Sequence, residues 1–394
     1  MKKLGYAFLA GLTAWGQGVT PKEALHRLLS ASKVEKAWFA GPFLAEVPLS
    51  QVEAIVKGFV RTYGRYLRVT GTENPYRVEY ERAFIPAYIT LDSRGRISGL
   101  RFLSPRRKWQ SWAEAQDSLL RRPELVSVLV RRGDKDLLAI RPDTPLAVGS
   151  TFKVAVLAAL LEAIQAGHLH WADTVQLDST WKSLPSGLLQ DWPAGAPLTI
   201  YTLAALMISE SDNTATDALM ALLGPERLRP YALQNWPFLS TQEFFKLILT
   251  PTGHTLRARY ATATPAEKEL LLQEVRRLPL PTLSEAIFDT TPEDLLVGWR
   301  YALRQLDTVF RRVDRLPLMG INPGLAEKTD WAHLAYKGGS YPGVYNMTTA
   351  LYTSTGERYF VAMTWNDPQG IDDGVFFEAY AGLLDLALKT SARK

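Results

Sequence analysis

An uninterrupted apolar run at residues 154–161 follows Lys153 and constrains this chain more than any other feature. A helix that is apolar on every side has to be buried. We therefore predict a central helix of a sizeable domain that begins at Ser150 and ends near Gly167, which reads as its C-terminal cap. Residues three apart share one helix face, so the Ser150 hydroxyl and the Lys153 ammonium would lie side by side.

This pair has the chemistry of a nucleophile and its base. Lysine is normally protonated at neutral pH, but burial removes the hydration of the ammonium and lowers its pKa. The neutral amine of Lys153 could then take the proton of Ser150. Two alternatives stay open, since Ser150 could simply cap the helix and Lys153 could be a solvated lysine.

Two further motifs follow along the chain, Ser211-Asp212-Asn213 and Lys337-Gly338-Gly339-Ser340. Ser-x-x-Lys, Ser-Asp-Asn and Lys-[Thr/Ser]-Gly occur in this order in serine β-lactamases and penicillin-binding proteins. From about residue 115 to residue 394 the chain therefore resembles the class A β-lactamase-like serine hydrolases. The third motif departs from the pattern, because glycine stands at position 338 where the family has a hydroxyl residue.

The resemblance implies a role for each motif residue. Ser150 would be the nucleophile and Lys153 its base, while Ser211, positioned by Lys337, would pass a proton to the leaving group. The backbone N–H groups of Ser150 and Ser340 would form the oxyanion hole. The residues expected to bind substrate are Asn213, Gly339 and Ser340. The Ser-Asp-Asn segment could also cap the helix that follows it, and both roles can coexist.

Positions 338 and 243 leave two functions undecided, the binding of a substrate carboxylate and the activation of the deacylating water. Gly338 cannot supply the hydroxyl that binds a substrate carboxylate in the family, and Ser340 is one possible replacement. Class A enzymes activate the deacylating water with a glutamate that has an asparagine four residues on. Glu243 lies near that place, but Leu247 occupies the partner position. Ser240 and Glu243 also form a capping box, which we favour over a role for Glu243 as the deacylation base.

The pattern of elements predicts an α+β fold for this part of the chain. An apolar hairpin and a helical block precede three strands and a closing helix. Together they indicate a five-stranded antiparallel sheet covered by helices, which is the class A β-lactamase-like architecture. The predicted strands span 125–131, 135–141, 335–337, 345–354 and 358–365. The predicted helices span about 199–209, 214–223, 241–249 and 373–389, and a helical stretch over about 264–312 has two helix starts, at Thr264 and Thr291.

Residues 17–110 read as a separate small α+β domain, since 394 residues suffice for roughly two to three domains. Helices over 20–30 and 48–63 precede a curved antiparallel sheet, a pattern that resembles the cone-shaped NTF2-like domains. Such a domain accompanies the lactamase-like domain in a subgroup that includes the two-domain proteins of clavulanic-acid gene clusters. A polar, Pro-broken segment at 104–109 separates it from the domain at 111–394. We favour a scaffold role over ligand binding.

Residues 1–16 have the pattern of a signal peptide, with two lysines, a short apolar stretch and small residues at a cleavage site. The alternative is an uncleaved anchor or a buried helix. No later segment has the length and hydropathy of a membrane span. The chain has no cysteine, so disulfides are excluded. A periplasmic or secreted location is the expectation.

Composition argues against several other functions. The net charge of +5 is spread along the chain without a basic run that carries interleaved aromatics, so no nucleic-acid partner is expected. His168 and His170 lack a third ligand at metal-binding spacing, so neither a metal nor another cofactor is expected. The prediction is an exported serine hydrolase that forms an acyl-enzyme on a small β-lactam, ester or amide. The alternatives are a D,D-peptidase-like enzyme that acts on peptides and a non-catalytic penicillin-binding protein.

Overall fold

The structure is a computed structural model that describes residues 19–122, 124–282 and 294–392. The chain divides into two compact units, Met1–Lys108 and Trp109–Lys394. The predicted signal peptide at 1–16 lies outside the described residues. No helix in the described ranges is long and apolar enough to cross a bilayer.

Over residues 19–108, the first unit combines three α-helices with one antiparallel sheet. Its helices are α1 (Pro21–Ser30), α2 (Gly41–Glu46) and α3 (Leu49–Tyr63), and its strands are β1 (Tyr66–Thr70), β2 (Tyr76–Tyr80), β3 (Ala83–Leu91), β4 (Ile97–Phe102) and β5 (Arg106–Arg107). Thr20 and Glu23 form the predicted capping box at the start of α1. The helix predicted over 48–63 is confirmed as α3. The assignment to the NTF2-like domains stays a prediction.

The sheet of this unit runs in the order β1-β2-β3-β4, and β5 pairs with β3. The segment at 104–109 is therefore not a simple linker, since Arg106 and Arg107 continue the sheet. Lys108 donates to Glu79 (3.2 Å) and to the Tyr80 carbonyl (2.7 Å), which fixes the end of the unit. These hydrogen bonds join segments that are distant in the sequence, so the local composition, which suggested a linker, does not reveal them.

The second unit contains the remaining elements. Its helices are α4 (Trp112–Leu120), α5 (Lys153–Gln165), α6 (Ile200–Ser209), α7 (Asn213–Ala232), α8 (Thr241–Leu249), α9 (Pro251–Thr262), α10 (Pro265–Arg277), α11 (Asp294–Val297), α12 (Leu303–Val313) and α13 (Asp373–Ser391). Its strands are β6 (Leu125–Arg132), β7 (Lys135–Ile140), β8 (Leu146–Ala147), β9 (Thr174–Gln176), β10 (Pro197–Thr199), β11 (Arg300–Tyr301), β12 (His333–Tyr341), β13 (Val344–Tyr352) and β14 (Arg358–Asn366).

The predicted five-stranded sheet is confirmed, with strand order β12-β13-β14-β6-β7 and every neighbouring pair antiparallel. Successive residues of β14 face opposite sides. Phe360 and Ala362 belong to the core that contains α5, whereas Val361 and Met363 belong to the core that contains α13. This alternation is the period of two expected for a strand buried on both faces.

The apolar helix is confirmed as α5, and nine of its thirteen residues are buried. It begins three residues later than predicted, because residues 149–152 form a 3₁₀ turn. The N-cap positions of that turn and of α5 are Val148 and Phe152. The alternative in which Ser150 merely caps the helix is therefore wrong.

The helical stretch predicted over 264–312 begins as expected, with the capping box of Thr264 and Glu267, but it also contains the strand β11, which was not predicted. The second predicted helix start, at Thr291, lies outside the described residues. Helix α10 ends at Arg277, Pro279 and Pro281 follow it, and β11 precedes α12. Proline lacks a backbone N–H and cannot continue a helix, which explains the end of α10. Helix α9 and the hairpin of β9 with β10 were not predicted. The helix predicted over 214–223 is the first part of α7, which has a non-helical residue at Gly224.

Candidate functional site

The Ser150 turn packs backbone against backbone on strand β12. Gly149 has φ +50°, and a Cβ there would lie 2.7 Å from the Ser340 backbone nitrogen. A Cβ at Gly339 would collide with the backbone nitrogen of Ser150 and the carbonyl of Val148. Glycine at both positions thus permits the close approach of the two segments. The backbone N–H groups of Ser150 and Ser340 are brought near each other as a result.

Buried side chains hold this turn in place. Thr151 donates from Oγ1 to Asn346 Oδ1 (2.7 Å), and Asn346 Nδ2 donates to Thr364 Oγ1 (2.7 Å). Phe152 stacks on Trp299 with ring centroids 3.8 Å apart. Satisfied buried polar groups and stacked aromatic rings restrict side-chain motion, so Ser150 sits on a rigid support.

Lys153 is fully buried and points its side-chain nitrogen at the Ser-Asp-Asn segment. Its Nζ donates to the Ser211 carbonyl (2.5 Å), to Asn213 Oδ1 (2.6 Å) and to Ser211 Oγ (3.2 Å). Burial, followed by the charge of Lys337, holds the pKa of Lys153 well below its ordinary value, while Asp212 and Asp217 oppose the shift. The alternative of a solvated lysine is therefore wrong.

Ser211 occupies the junction between α6 and α7 with φ +56°, a backbone region that non-glycine residues seldom adopt. The Ser186 hydroxyl donates to the Ser211 carbonyl (2.8 Å). Asp212 caps α7 by accepting from the Ala215 backbone N–H (2.7 Å), and Asn213 Nδ2 donates to the Leu184 carbonyl (2.9 Å). The predicted helix cap is therefore present, and the Ser211 hydroxyl is left to face the two lysines.

Lys337 lies on β12, the edge strand of the sheet, and its amine also contacts the Ser211 hydroxyl. Its Nζ donates to Ser211 Oγ (3.0 Å) and to the Gly338 carbonyl (2.6 Å). Burial lowers the pKa of Lys337 to about 7. The Ser211 hydroxyl thus accepts from both lysines, and the three side chains form one hydrogen-bonded chain.

A cavity of about 420 Å³ lies over this network. Its lining includes the predicted site residues Ser150, Ser211, Lys337, Gly339 and Ser340. Lys153 does not line the cavity but donates to Ser211 Oγ, which does, and Asn213 Oδ1 accepts from the same Lys153 amine. The structure thus brings seven of the eight predicted residues together, although the motifs are far apart along the chain.

Glu243 is the predicted residue that the structure places elsewhere. Its carboxylate accepts from the Ser240 backbone N–H (2.8 Å) and from Arg276 Nε (2.7 Å), and Ser240 Oγ accepts from the Glu243 N–H (3.1 Å). The predicted capping box at the start of α8 is confirmed. Glu243 is absent from the described lining of the cavity, and Leu247, four residues on, is buried in the core.

Several residues around the cavity were not singled out from the sequence, among them Ser186, Asn346 and Tyr336. Ser186 and Asn346 both line the cavity, and Tyr336 contributes a phenol beside Gly338. An asparagine within the apolar strand β13 is a detectable signal, because a buried amide needs partners. Ser186 has no comparable signal, since it lies in a loop remote from the motifs.

Comparison with known proteins identifies relatives of the second unit. Residues 113–289 match the beta-lactamase enzyme family, a range that ends before the Lys337 motif. A segment of 97 residues is 31% identical to the β-lactamase VEB-1 of Pseudomonas aeruginosa. That segment covers 23% of this chain and 31% of the enzyme, so the match spans about a third of the relative's length.

Solved structures give the same kind of match. A β-lactamase from Sphaerobacter thermophilus has 19% identity and a TM-score of 0.46, with 73% of this chain and 98% of that chain covered. The protein PBP-A has 18% identity and a TM-score of 0.47, with coverages of 71% and 96%. Residues 113–289 thus match the beta-lactamase enzyme family, and the second unit has the helix-covered, five-stranded antiparallel sheet that the class A-like resemblance implies.

Proposed function

We propose that this protein is an exported serine hydrolase that forms an acyl-enzyme through Ser150 on a β-lactam or a related ester or amide. The observation that carries the proposal is the hydrogen-bonded chain from Lys153 through Ser211 to Lys337 beneath the cavity that Ser150 lines. Export rests on the signal-peptide pattern at residues 1–16.

The first step would be attack by the Ser150 hydroxyl oxygen on the substrate carbonyl carbon. Its proton passes to the neutral amine of Lys153, whose pKa is lowered chiefly by burial. The carbonyl oxygen becomes an oxyanion that faces the backbone N–H groups of Ser150 and Ser340. These donors sit on two segments held together by Gly149 and Gly339, so they are fixed before the substrate arrives.

The second step would break the carbon–nitrogen or carbon–oxygen bond of the tetrahedral intermediate. The Ser211 hydroxyl gives its proton to the departing atom, and Lys153, now protonated, restores the proton through its contact with Ser211 Oγ (3.2 Å). The contact with Lys337 orients the same hydroxyl. The product of this step is an ester between Ser150 and the substrate acyl group.

Hydrolysis of this ester would be the slow step for β-lactams. Fast deacylation requires a base that aligns a water against the ester carbonyl. Glu243 is engaged by the N-terminus of α8 and by Arg276, which favours a long-lived acyl-enzyme. The same observation favours a second candidate function, a penicillin-binding or D,D-peptidase-like protein for which β-lactams are poor substrates.

Covalent labelling tests the proposed nucleophile. We expect a fluorophosphonate probe or a penicillin to attach to Ser150, with the modified peptide identified by mass spectrometry. Ser150→Ala should abolish labelling and keep the fold, since the hydroxyl forms no cap in the structure. Undiminished labelling or hydrolysis by the purified Ser150→Ala protein would contradict the proposal.

A further inference from the structure

We infer that the Tyr336 hydroxyl binds the carboxylate of the substrate, at the place where Gly338 has no side chain. This inference rests on the proposed function for the identity of the site. It adds a specificity-determining residue that lies outside the three motifs.

The first support is the position of the phenol. Tyr336 and Gly338 lie two residues apart on β12 and therefore on one face of the strand. A Cβ at Gly338 would collide with the Tyr336 hydroxyl oxygen and come within 3.0 Å of the ring carbon that carries it. The Tyr336 hydroxyl thus fills the space that a side chain at position 338 would take.

The second support is that glycines, which have no side chain, flank the Tyr336 ring and leave room for it. A Cβ at Gly324, where φ is +61°, would lie 2.6 Å from the edge of the Tyr336 ring. The ring therefore lies between two glycines, Gly324 and Gly338. Glycine at the first position has a conformational reason as well, but at position 338 no positive φ requires it. The absence of a side chain there is explained by the phenol.

The third support is that the hydroxyl is available to a ligand. Tyr336 lines the same cavity as Ser150 and Lys337. Within the described ranges no protein group forms a hydrogen bond with its hydroxyl. Burial raises the pKa of Tyr336 to about 12, so the group remains a proton donor at any physiological pH. A phenol that is mostly enclosed and has no protein partner is a donor in need of an acceptor.

The charges around the cavity favour a carboxylate as that acceptor. The charged residues in its described lining are Lys337, which is buried, and Glu210, which is exposed. Lys337 and the hydroxyl groups of Ser211 and Tyr336 supply hydrogen-bond donors to one cavity. A hydrogen bond to an ionised acceptor is roughly twice as strong as one between neutral groups, so the phenol would favour a substrate that carries an anion.

Paired substrates that differ only in the carboxylate test this inference. We would measure acylation by a chromogenic cephalosporin and by its carboxylate methyl ester in the full chain and in Tyr336→Phe. Loss of the hydroxyl should reduce the acylation efficiency for the acid by about 10- to 100-fold and leave the ester nearly unchanged. The reduction should appear in KM rather than in kcat. An N-acyl-D-alanyl-D-alanine peptide and its C-terminal amide form a second pair that distinguishes a peptide carboxylate from that of a β-lactam.

Tyr345→Phe is the matched control, because it removes another phenol hydroxyl from the cavity lining. Burial and the neighbouring Asp373 carboxylate raise the pKa of Tyr345 to about 12. Because this phenol lies near an acid of the protein, it is a poor site for a substrate carboxylate, and the ratio of acid to ester should stay at the value of the unmodified protein. Equal losses for acid and ester in Tyr336→Phe, or no loss for either, would overturn the inference.

Equilibrium binding to Ser150→Ala separates this inference from the proposed function. The same acid and ester pair can be titrated into Ser150→Ala and into Ser150→Ala with Tyr336→Phe, where no acylation is needed. Tighter binding of the acid that disappears with Tyr336→Phe supports the carboxylate site even if Ser150 proves unreactive. Conversely, labelling of Ser150 together with equal binding of acid and ester would retain the hydrolase and reject the role of Tyr336.

Discussion

Lys153 and Glu243 are two buried ionisable residues of the second unit, and their partners differ in kind. Lys153 hydrogen-bonds with Asn213 and with Ser211, and Ser211 lines the same cavity as Ser150. Glu243 hydrogen-bonds with the first turn of its own helix and with Arg276. Lys153 therefore belongs to a polar network beside a cavity, whereas Glu243 caps the N-terminus of a helix.

This difference bears on the two steps of the proposed reaction, acylation of Ser150 and hydrolysis of the resulting ester. Acylation needs a nucleophile, a base and a proton path, and the Ser150 region contains groups for all three. Deacylation also needs a base directed at a water molecule. Glu243 is the glutamate near the sequence position where class A enzymes have this base, and its carboxylate instead caps the start of α8. The comparison therefore predicts that acylation outpaces deacylation of β-lactams.

Removal of the Lys153 amine should have the largest effect. Lys153→Met keeps an unbranched side chain of similar length but cannot accept the Ser150 proton. General-base catalysis typically contributes about 10²- to 10⁴-fold, and we expect the second-order acylation rate constant to fall within that range. Stopped-flow kinetics with a chromogenic cephalosporin would measure it.

Lys246→Met is the matched control for that variant. Lys246 is also buried, with 8% of its surface exposed, but it donates to the Arg276 carbonyl in the region of Glu243. Its removal should leave the acylation rate unchanged. Equal losses in both variants would show that Lys153 acts through stability and would remove the distinction between the two regions.

The protonation of Lys337 should produce a smaller effect that depends on pH. Burial lowers the pKa of Lys337 to about 7, so its ammonium is present below that pH and is lost above it. Binding of a carboxylate-bearing substrate should weaken as pH rises from 7 to 9, by up to about tenfold per pH unit. Measurement of KM for the cephalosporin acid and its methyl ester across this range would check the effect.

The ester provides the internal comparison for this pH effect, since it has no charge to pair with Lys337. Its KM should stay flat over the same range. Lys337→Arg keeps a positive charge throughout the range and should flatten the profile of the acid as well. A profile that is the same for acid and ester would assign the titration to another group.

The smallest effect is expected for Glu243→Gln. Glutamine also completes a capping box, so the start of α8 should be preserved. Because Glu243 does not line the cavity, the deacylation rate constant should change by less than about threefold. Single-turnover kinetics would measure it. A fall of about 10²- to 10⁴-fold with acylation unchanged would make Glu243 the hydrolytic base and reverse the comparison.

The parts that the sequence predicted well depend on local patterns. The apolar run marked α5 as a buried helix, and Ser240 with Glu243 at capping-box spacing marked the start of α8. Alternating and apolar runs marked the five strands of the sheet. Each of these features is determined by residues within a few positions of one another, so a single sequence displays them.

The parts that escaped prediction depend on contacts between distant segments. Arg106 and Arg107 form a strand only because β3 offers them a partner, and Tyr336 matters only because Gly338 leaves a space beside it. The turn before α5 bends around the close approach of Gly149 to Ser340. Spacing along the chain does not reveal such distances.

Intact-mass spectrometry over time with a penicillin tests the central claim most directly. The claim predicts a single adduct of the full mass of the penicillin on Ser150 that forms rapidly and then decays slowly, with no adduct in Ser150→Ala. A burst of product followed by a low steady rate should accompany it. Rapid turnover of penicillin without an accumulated adduct would contradict the claim, because it would require an efficient deacylation base, whereas the Glu243 carboxylate is held by the start of α8 and by Arg276.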